Sequence, residues 1–550
     1  MGETMVKTAL AAAAVVAATV SIAASAAAGP FGFVGTNVVA SSPVQGGGYP
    51  VPPGSTKPQP GTCRSGSYDA NRSESWIAVK PGTEDLVGAS KFFFEKFSTY
   101  YDFHLGSYRI VDSTPVDNNQ VQGYDCVSTG TQDMPPSWTN NTDPNVAFDT
   151  KGRVYQVTLP FNAYWEGGLH PNAEIDVSYS DDMGRHWTKG NGGKPLEPTN
   201  NQSSLAFGHV EDKQWVAVNH IVGNANQDHV YAAWAVFNGA AIKVRFAVSR
   251  DRGQTFDKAT MASPSQVSSA VTYVYPAVDA AGDVYAALVS FPPSGKSSHI
   301  YVARSTDDGR SFGPWVSVAT PGVIASGGLP NTRFRDGIVE SFAASPTYPG
   351  HLYVAYEDWD GTQMDVELVQ STDGGMHWSD PALVNDNEDT GTPTDQFQPS
   401  VAAGPDGAVA VAFYDRRRAC PQDDSVLPAD RGRENFCIDT TLQAYKDTGS
   451  GAVAVGGNVR MSEFAWDPEQ PGQKVDGLSQ YPCAAHRDPC PNGAGFIGDY
   501  FGLAISDDNV YGLFVSTHYP SSTTADGGGP VYYQQQVLAT VPRSAIGSGY

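Results

Sequence analysis

The sequence predicts an all-β chain folded as a β-propeller, a ring of small four-stranded antiparallel blades. Three observations carry that expectation: a turn phrase that recurs four times, an apolar strand–turn–strand unit that recurs seven times, and a composition suited to many short strands and turns. The phrase reads Ser180-x-Asp182-x-Gly184-x-x-Trp187, Ser249-x-Asp251-x-Gly253-x-Thr255-Phe256, Ser305-x-Asp307-x-Gly309-x-Ser311-Phe312 and Ser371-x-Asp373-x-Gly375-x-x-Trp378. Each letter suits a tight hairpin, where Ser and Asp side chains bond backbone N–H groups, Gly supplies a positive φ and the aromatic buries itself at the next strand. Recurrence at roughly 55–70 residues is the mark of a repeat architecture.

The elements follow in order. Lys7 precedes an apolar run from Thr8 to Ala28, and Ala26-Ala27-Ala28 before Gly29 fits a cleavage site, so residues 1–28 are expected to be an export signal, with an uncleaved N-terminal anchor as the rival. Residues 29–73 are rich in Gly, Pro and Ser and read as a linker or loosely laid arm. The propeller is expected over 74–541. Its paired inner strands fall at 76–89, 146–155, 215–234, 277–287, 342–356, 401–413 and 502–514. A third strand of clean alternation follows, clearest at Ile242–Val248 and Ile300–Arg304, and a fourth is expected to begin at the aromatic of the turn phrase. Small residues in the inner two strands suit crowding at an axis.

Seven pairs favour seven blades, and six stays open if the first or last copy is not a full blade. After Val531–Val541 the chain ends too early to supply a fourth strand to the last unit. An N-terminal strand is therefore expected to close the ring, because an open blade would leave an unpaired edge. Residues 542–550 remain as a C-terminal tail.

Charged residues make up only 17% of the chain, while Gly and Pro number 58 and 39, a turn-rich balance. The formal charge, 34 − 58 = −24, argues against nucleic acid and anionic membrane as partners. Six cysteines in an exported chain point to disulfides. Short loops favour Cys420–Cys437 and Cys483–Cys490, which leaves Cys63–Cys126. No Cys-x-x-Cys or Cys/His spacing supports a metal cluster.

The repeated phrase resembles the Asp-boxes, or bacterial neuraminidase repeats, of the sialidase superfamily, over roughly residues 74–541. Asp212-Lys213-Gln214-Trp215, Phe413-Tyr414-Asp415-Arg416-Arg417 and Gly498-Asp499-Tyr500-Phe501-Gly502 are similar to phrases in a secreted, sialidase-like bacterial branch. The resemblance implies a propeller with the boxes on outer turns, away from the central channel. It also implies an exo-acting glycoside hydrolase on an extracellular glycan, with three arginines clamping a carboxylate, a Tyr nucleophile paired with a Glu, and an Asp acid/base. The Phe/Tyr-Arg-Ile-Pro phrase of that family is absent, and Phe334-Arg335-Asp336-Gly337 shares two letters with it. The alternative is a non-catalytic propeller that binds a glycan or a protein.

Propellers gather ligands where the innermost strands begin. The polar residues there are Glu74, Asp143, Asp212, Lys213, Tyr275, Glu340, Gln398, Asp499 and Tyr500, with Arg333, Arg335, Arg416 and Arg417 at hand. Converging carboxylates need a cation, a proton or an arginine to offset them. On the catalytic reading Glu340 and Tyr500 are base and nucleophile, Asp212 is the acid/base and Asp499 supports them. Arg335, Arg416 and Lys213 hold the substrate anion. The competing reading gives Asp143 and Asp499 turn duty, pairs Glu340 and Asp212 with Lys213 or Arg335, leaves Arg416 on a solvated hairpin end, and packs Tyr275 and Tyr500 in the channel. Convergence on one rim decides between them.

No cofactor is expected unless Ca²⁺ occupies the oxygen-rich Asp386–Asp389 loop with Asn385 and Asp395. His220 and His229 flank a loop insertion and read as structural or exposed. The expected partner is an extracellular glycan or glycoprotein, and the expected state is a monomer.

Overall fold

The computed structural model describes residues 31–47, 64–93, 103–122, 140–162, 172–197, 209–238, 241–262, 270–291, 297–324, 328–336, 340–387, 391–422, 424–475, 477–483, 490, 493 and 495–550. Alternating and near-continuous apolar runs pair there into seven antiparallel blades, beside two separate two-stranded ribbons. Their innermost strands are Arg72–Val79, Asn140–Phe148, His209–Val218, Ala270–Val278, Glu340–Ala344, Gln396–Ala403 and Gly502–Ile505, in blades I to VII. Each packs on the next, and that of blade VII packs on that of blade I. The chain is thus a seven-bladed propeller, which resolves the choice between six and seven.

The second strands lie in the middle of each sheet and are almost wholly buried. Val230 to Ala235 in blade III and Val409 to Phe413 in blade VI have no exposed surface. Alanines alternate there with Val and Tyr, so that neighbouring sheets interdigitate face to face.

Ring closure is by an N-terminal strand, as the sequence predicts. Thr36–Val39 pairs antiparallel with Gln535–Pro542, in register from Thr36 opposite Thr540 to Val39 opposite Val537. That strand falls inside the segment expected to be a linker or arm. At the other terminus the tail lies against blade VI, where the Tyr550 hydroxyl donates to the Val409 carbonyl at 3.2 Å.

The four turn phrases share one hydrogen-bond pattern. Ser249 Oγ donates to Asp251 Oδ1 at 2.8 Å and accepts the Gly253 N–H at 2.8 Å, and Asp251 accepts the Thr255 N–H at 2.8 Å. Ser180, Ser305 and Ser371 repeat it, with Gly184, Gly309 and Gly375 donating at 2.9, 2.9 and 3.0 Å. The fourth strand does not begin at the aromatic in most copies. It follows Trp187 directly, but starts at Thr260, Val316 and Ala382 after Phe256, Phe312 and Trp378. The ring caps the turn first, and pairing begins later.

Cys420–Cys437 and Cys483–Cys490 are disulfides, as their short loops predict. The export signal and the Cys63–Cys126 pair lie outside the described residues. No helix among the described residues is long and apolar enough to cross a membrane.

Candidate functional site at the propeller mouth

A repeated irregularity builds the mouth. In five blades the ladder between the first two strands breaks near the start of the innermost strand, at Ser73/Ser75, Thr142/Asn145, Asp212/Trp215, Thr272/Tyr275 and Phe397/Ser400. The extra residue is left-handed each time, at Glu74, Asp143, Lys213, Tyr273 and Gln398 (φ 45–55°). Non-glycine residues at such φ are strained, and bulges re-aim side chains. Here they gather charged groups from separate blades at one opening.

Those groups form a continuous ionic network. Lys91, from the second strand of blade I, pairs with Glu74 and lies 3.7 Å from Asp143. Lys213 lies 3.3 Å from Asp143 and 2.7 Å from Asp499. Arg335 grips Asp499 with both prongs, Nε to Oδ1 at 3.0 Å and Nη2 to Oδ2 at 2.7 Å. The Phe496 ring lies under both Lys91 and Arg335, at 4.4 and 4.8 Å. Arg335 is the most open of the three cations, with 36% of its side chain exposed against 10% for Lys213 and 4% for Lys91.

Protons are divided unevenly over the carboxyls. Burial works against the charge on Asp143, yet Lys213 and Lys91 hold its pKa well below the usual range. Arg335 and Lys213 do the same for Asp499. The Asp143 charge also bears on the carboxyls of Glu74 and Asp212. Burial and the Asp143 charge push Glu74 up to about 8. Burial raises Asp212 to about 6, with Lys213 pulling down and Asp143 pushing up. Asp143 therefore keeps the charge, while Glu74 holds its proton up to about pH 8 and Asp212 up to about pH 6, as like charges at close quarters require.

A second acidic group adjoins the first. Gln398 donates its N–H to Glu357 at 3.1 Å and its side-chain amide to the Gly498 carbonyl at 3.0 Å. Glu357 also hydrogen-bonds Asp336, and burial raises both, Asp336 to about 7. Glu340 is fully buried, neither of its carboxyl oxygens has a hydrogen-bond partner among the described residues, and burial holds it protonated. Below this polar layer, edge-to-face rings fill the axis. Trp215 lies 4.6 Å from Trp76, 4.6 Å from Tyr275 and 5.0 Å from Tyr500.

The structure brings Asp212, Lys213, Asp499 and Arg335 together at the mouth and separates other assignments. Tyr500 and Glu340 are not partners. The Tyr500 hydroxyl donates to the Pro144 carbonyl at 3.1 Å, and the carboxyl whose charge bears most on it is Glu74. Glu340 bears instead on Tyr275. Arg416 is not on a solvated hairpin end and does not face the mouth. It is fully buried and donates to the carbonyls of Pro330, Asn331 and Phe436. Arg417 is held by Asp415 and Asp386, and Arg333 by Glu469.

In the loop suggested for Ca²⁺, Asp386 accepts from Arg417 and from the Asn458 N–H, and Asp395 from the Met364 N–H. Protein donors already use both Asp386 oxygens and Asp395 Oδ1; Glu388 and Asp389 lie outside the described residues. His229 pairs with Asp308 at 3.0 Å, a structural contact.

Sequence reasoning missed Lys91, Asp336 and Glu357. A lysine inside the otherwise apolar or small run Leu86–Phe93 was the available signal for the first.

No known protein family and no curated protein matches the chain. Solved structures that it resembles include a protein of unknown function from Dyadobacter fermentans, at 12% identity and TM-score 0.38, over 72% of this chain and 93% of that one. Polysaccharide lyase Uly1 aligns at 8% and 0.45, over 93% and 99%. The GH93 α-L-arabinofuranosidase of Fusarium graminearum aligns at 14% and 0.33, over 61% and 93%. Likeness at this level lends nothing to an assignment of activity.

Proposed function

We propose that the chain is an exported propeller of the sialidase superfamily that acts at its mouth as an exo-acting glycoside hydrolase on an extracellular glycan. The observation that carries this reading is Asp212. It is the carboxyl of a half-buried residue, with a pKa of about 6, beside Lys213. Near neutrality such a group gives and takes a proton readily, as the acid/base at a glycosidic oxygen must. Arg335 and Lys213 are the groups for a substrate anion. Below about pH 6, with Glu74 and Asp212 protonated, Lys91, Lys213 and Arg335 face Asp143 and Asp499 with one positive charge in excess, and ionisation of Asp212 above that pH balances it. The aromatic layer closes the axis beneath, which suits end-on entry of a chain terminus.

Tyr500 serves as nucleophile only by leaving the Pro144 carbonyl, and Glu74 beside it acts as a base only once it has lost its own proton, above about pH 8. The four Ser-x-Asp-x-Gly turns, at the blade ends away from the mouth, support the superfamily. The disulfides support export.

The test is a panel of chromogenic glycosides, including a sialoside, run on wild type, Asp212→Asn and Arg335→Ala. Turnover that falls about 10²–10⁴-fold in Asp212→Asn supports the reading. No turnover of any glycoside overturns it. The binding alternative draws on one observation: Lys91, Lys213 and Arg335 are each already paired with a carboxylate. It predicts glycan retention without turnover, lost in Arg335→Ala.

A further inference from the structure

Cleavage of a glycosidic bond takes two groups acting on opposite sides of the sugar ring, and Asp212 supplies one. Tyr500 and Glu74 are badly placed to supply the other. Tyr500 is 5% exposed, sits in the ring layer with Trp76 and Trp215, and donates its hydroxyl to the Pro144 carbonyl at 3.1 Å. Glu74 is 1% exposed and holds its proton up to about pH 8. Asp143, Glu340, Glu357 and Asp499 are buried as well. Of the carboxyls gathered at the mouth, only Asp212 and Asp336 belong to half-buried residues.

Two features single out Asp336. The first is its place beside the anion site. Lys213 and Arg335 converge on one oxygen, Asp499 Oδ2, at 2.7 Å each. Asp212 precedes Lys213 in blade III and Asp336 follows Arg335 at the entry to blade V, so one carboxyl attends each cation. The segment is fixed, with Phe334 fully buried against Phe397 and the Arg335 N–H donated to the Gly495 carbonyl at 2.9 Å. The second feature is an unserved acceptor. Asp336 Oδ1 is enclosed and has no hydrogen-bond partner among the described residues. No other carboxyl oxygen among them combines that state with a half-buried residue. Such an acceptor is costly unless water or a ligand hydroxyl donates to it.

We infer that Asp336 is the second catalytic carboxyl of the mouth, the base that activates water, and that hydrolysis inverts the anomeric centre with no covalent tyrosyl intermediate. This rests on the glycoside hydrolase reading of the same site. Asp336 takes a proton from water as the water oxygen bonds the anomeric carbon. The bond from that carbon to the leaving oxygen breaks, its electron pair stays on the oxygen, and Asp212 gives that oxygen a proton. Inverting pairs stand farther apart than retaining ones, to leave room for the water. Here Lys213, Asp499 and Arg335 link one carboxyl to the other. The pair needs one proton between its members, and holds about one between roughly pH 6 and 7.

Proton NMR of the first sugar released by wild type, from whichever chromogenic glycoside of the panel it turns over fastest, tests this. The expected product has the inverted configuration. That measurement needs no variant, so it stands whether or not a substitution is tolerated. Asp336→Asn copies the protonated acid and is expected to lower kcat about 10²–10⁴-fold, with KM within about threefold of wild type. A retained first product, a glycosyl adduct on Tyr500 found by mass spectrometry, or wild-type turnover in Asp336→Asn would each overturn the inference and leave the hydrolase reading standing. Absence of turnover on every glycoside would remove that reading, and the inference with it.

Discussion

Asp143 is the residue on which the mouth's electrostatics turn. It holds its charge between Lys91 and Lys213 and thereby keeps protons on Glu74 and Asp212. The linkage to stability has a definite sign. Glu74 and Asp212 are raised, so the stability they contribute is complete below their unfolded values near 4. It is lost as pH climbs through about 6 and about 8. Asp143 and Asp499 are lowered, so their contribution is present above about 4 and is lost on acidification. Stability should therefore peak between about pH 4 and 6 and decline toward pH 9. Glu74→Gln mimics the protonated acid. Its melting temperature should match wild type at pH 5 and exceed it by several degrees at pH 9, on the order of a few kcal/mol. Parallel melting curves would show Glu74 charged throughout. Glu340 gives a companion prediction. Its carboxyl is buried, and burial raises it well above its ordinary value, so Glu340→Gln should change stability by less than about 1 kcal/mol in thermal melts near pH 4 and should melt increasingly above wild type as pH rises. A loss of about 3 kcal/mol or more would reveal a charged partner. None of this division of protons was legible in the sequence. Seven strand starts look alike there, and which carboxyl meets Tyr500 depends on distances across the axis. Arg416 misled for a similar reason. A run of three arginines reads as solvated, yet the first of them is buried against three carbonyls.

At the level of elements, local chemistry was readable and local distortion was not. The turn phrase specified its own hydrogen bonds, because Ser, Asp and Gly act within five residues of chain. Asp251→Ala removes the acceptor for the Thr255 N–H and hydroxyl and for Ser249, and should cost about 1–2 kcal/mol in a thermal melt without altering the mouth. The bulges that turn Glu74, Asp143 and Lys213 inward left no such mark, since no glycine signals them. The segment that carries Arg335 owes its place to a partner remote in sequence. Arg335 donates its N–H to the Gly495 carbonyl at 2.9 Å, and Gly495 donates to Arg333 at 2.6 Å. Gly495 is in turn bridged to Cys483 of the Cys483–Cys490 disulfide. Replacing both cysteines with serine should loosen Arg335 from Asp499. Phenylglyoxal labelling read by mass spectrometry should then find Arg335 several-fold more reactive, with Arg460 in blade VI unchanged. Equal labelling would mean that Asp499 alone holds the guanidinium.

On the scale of the whole ring, the mouth exists only while the circle is shut. Lys91 comes from blade I, Asp143 from blade II, Lys213 from blade III and Asp499 from the entry to blade VII, so the Lys213–Asp499 contact at 2.7 Å spans the axis. The circle is shut by four residues, Thr36–Val39, pairing with the last strand, and no covalent bond among the described residues joins them. Gly35 admits that strand. Its φ is +101°, and a Cβ there would run into the Thr540 carbonyl. Gly35→Ala should therefore cost about 2 kcal/mol or more, the strain of the backbone adding to the clash. Its effect should also differ in kind from that of Asp251→Ala. A weakened turn leaves six blades and the axis in place. An opened seam exposes the edge of Gln535–Pro542 and frees blade VII, carrying Asp499, to move away from Lys213. The expected signature is early proteolysis near residues 36–39 together with a shifted pH dependence of melting, because Asp499 loses a cation that lowers its pKa. Early cleavage at that strand with an unchanged pH profile would show that the packing of blade VII on blade I, and not the seam strand, holds the mouth together.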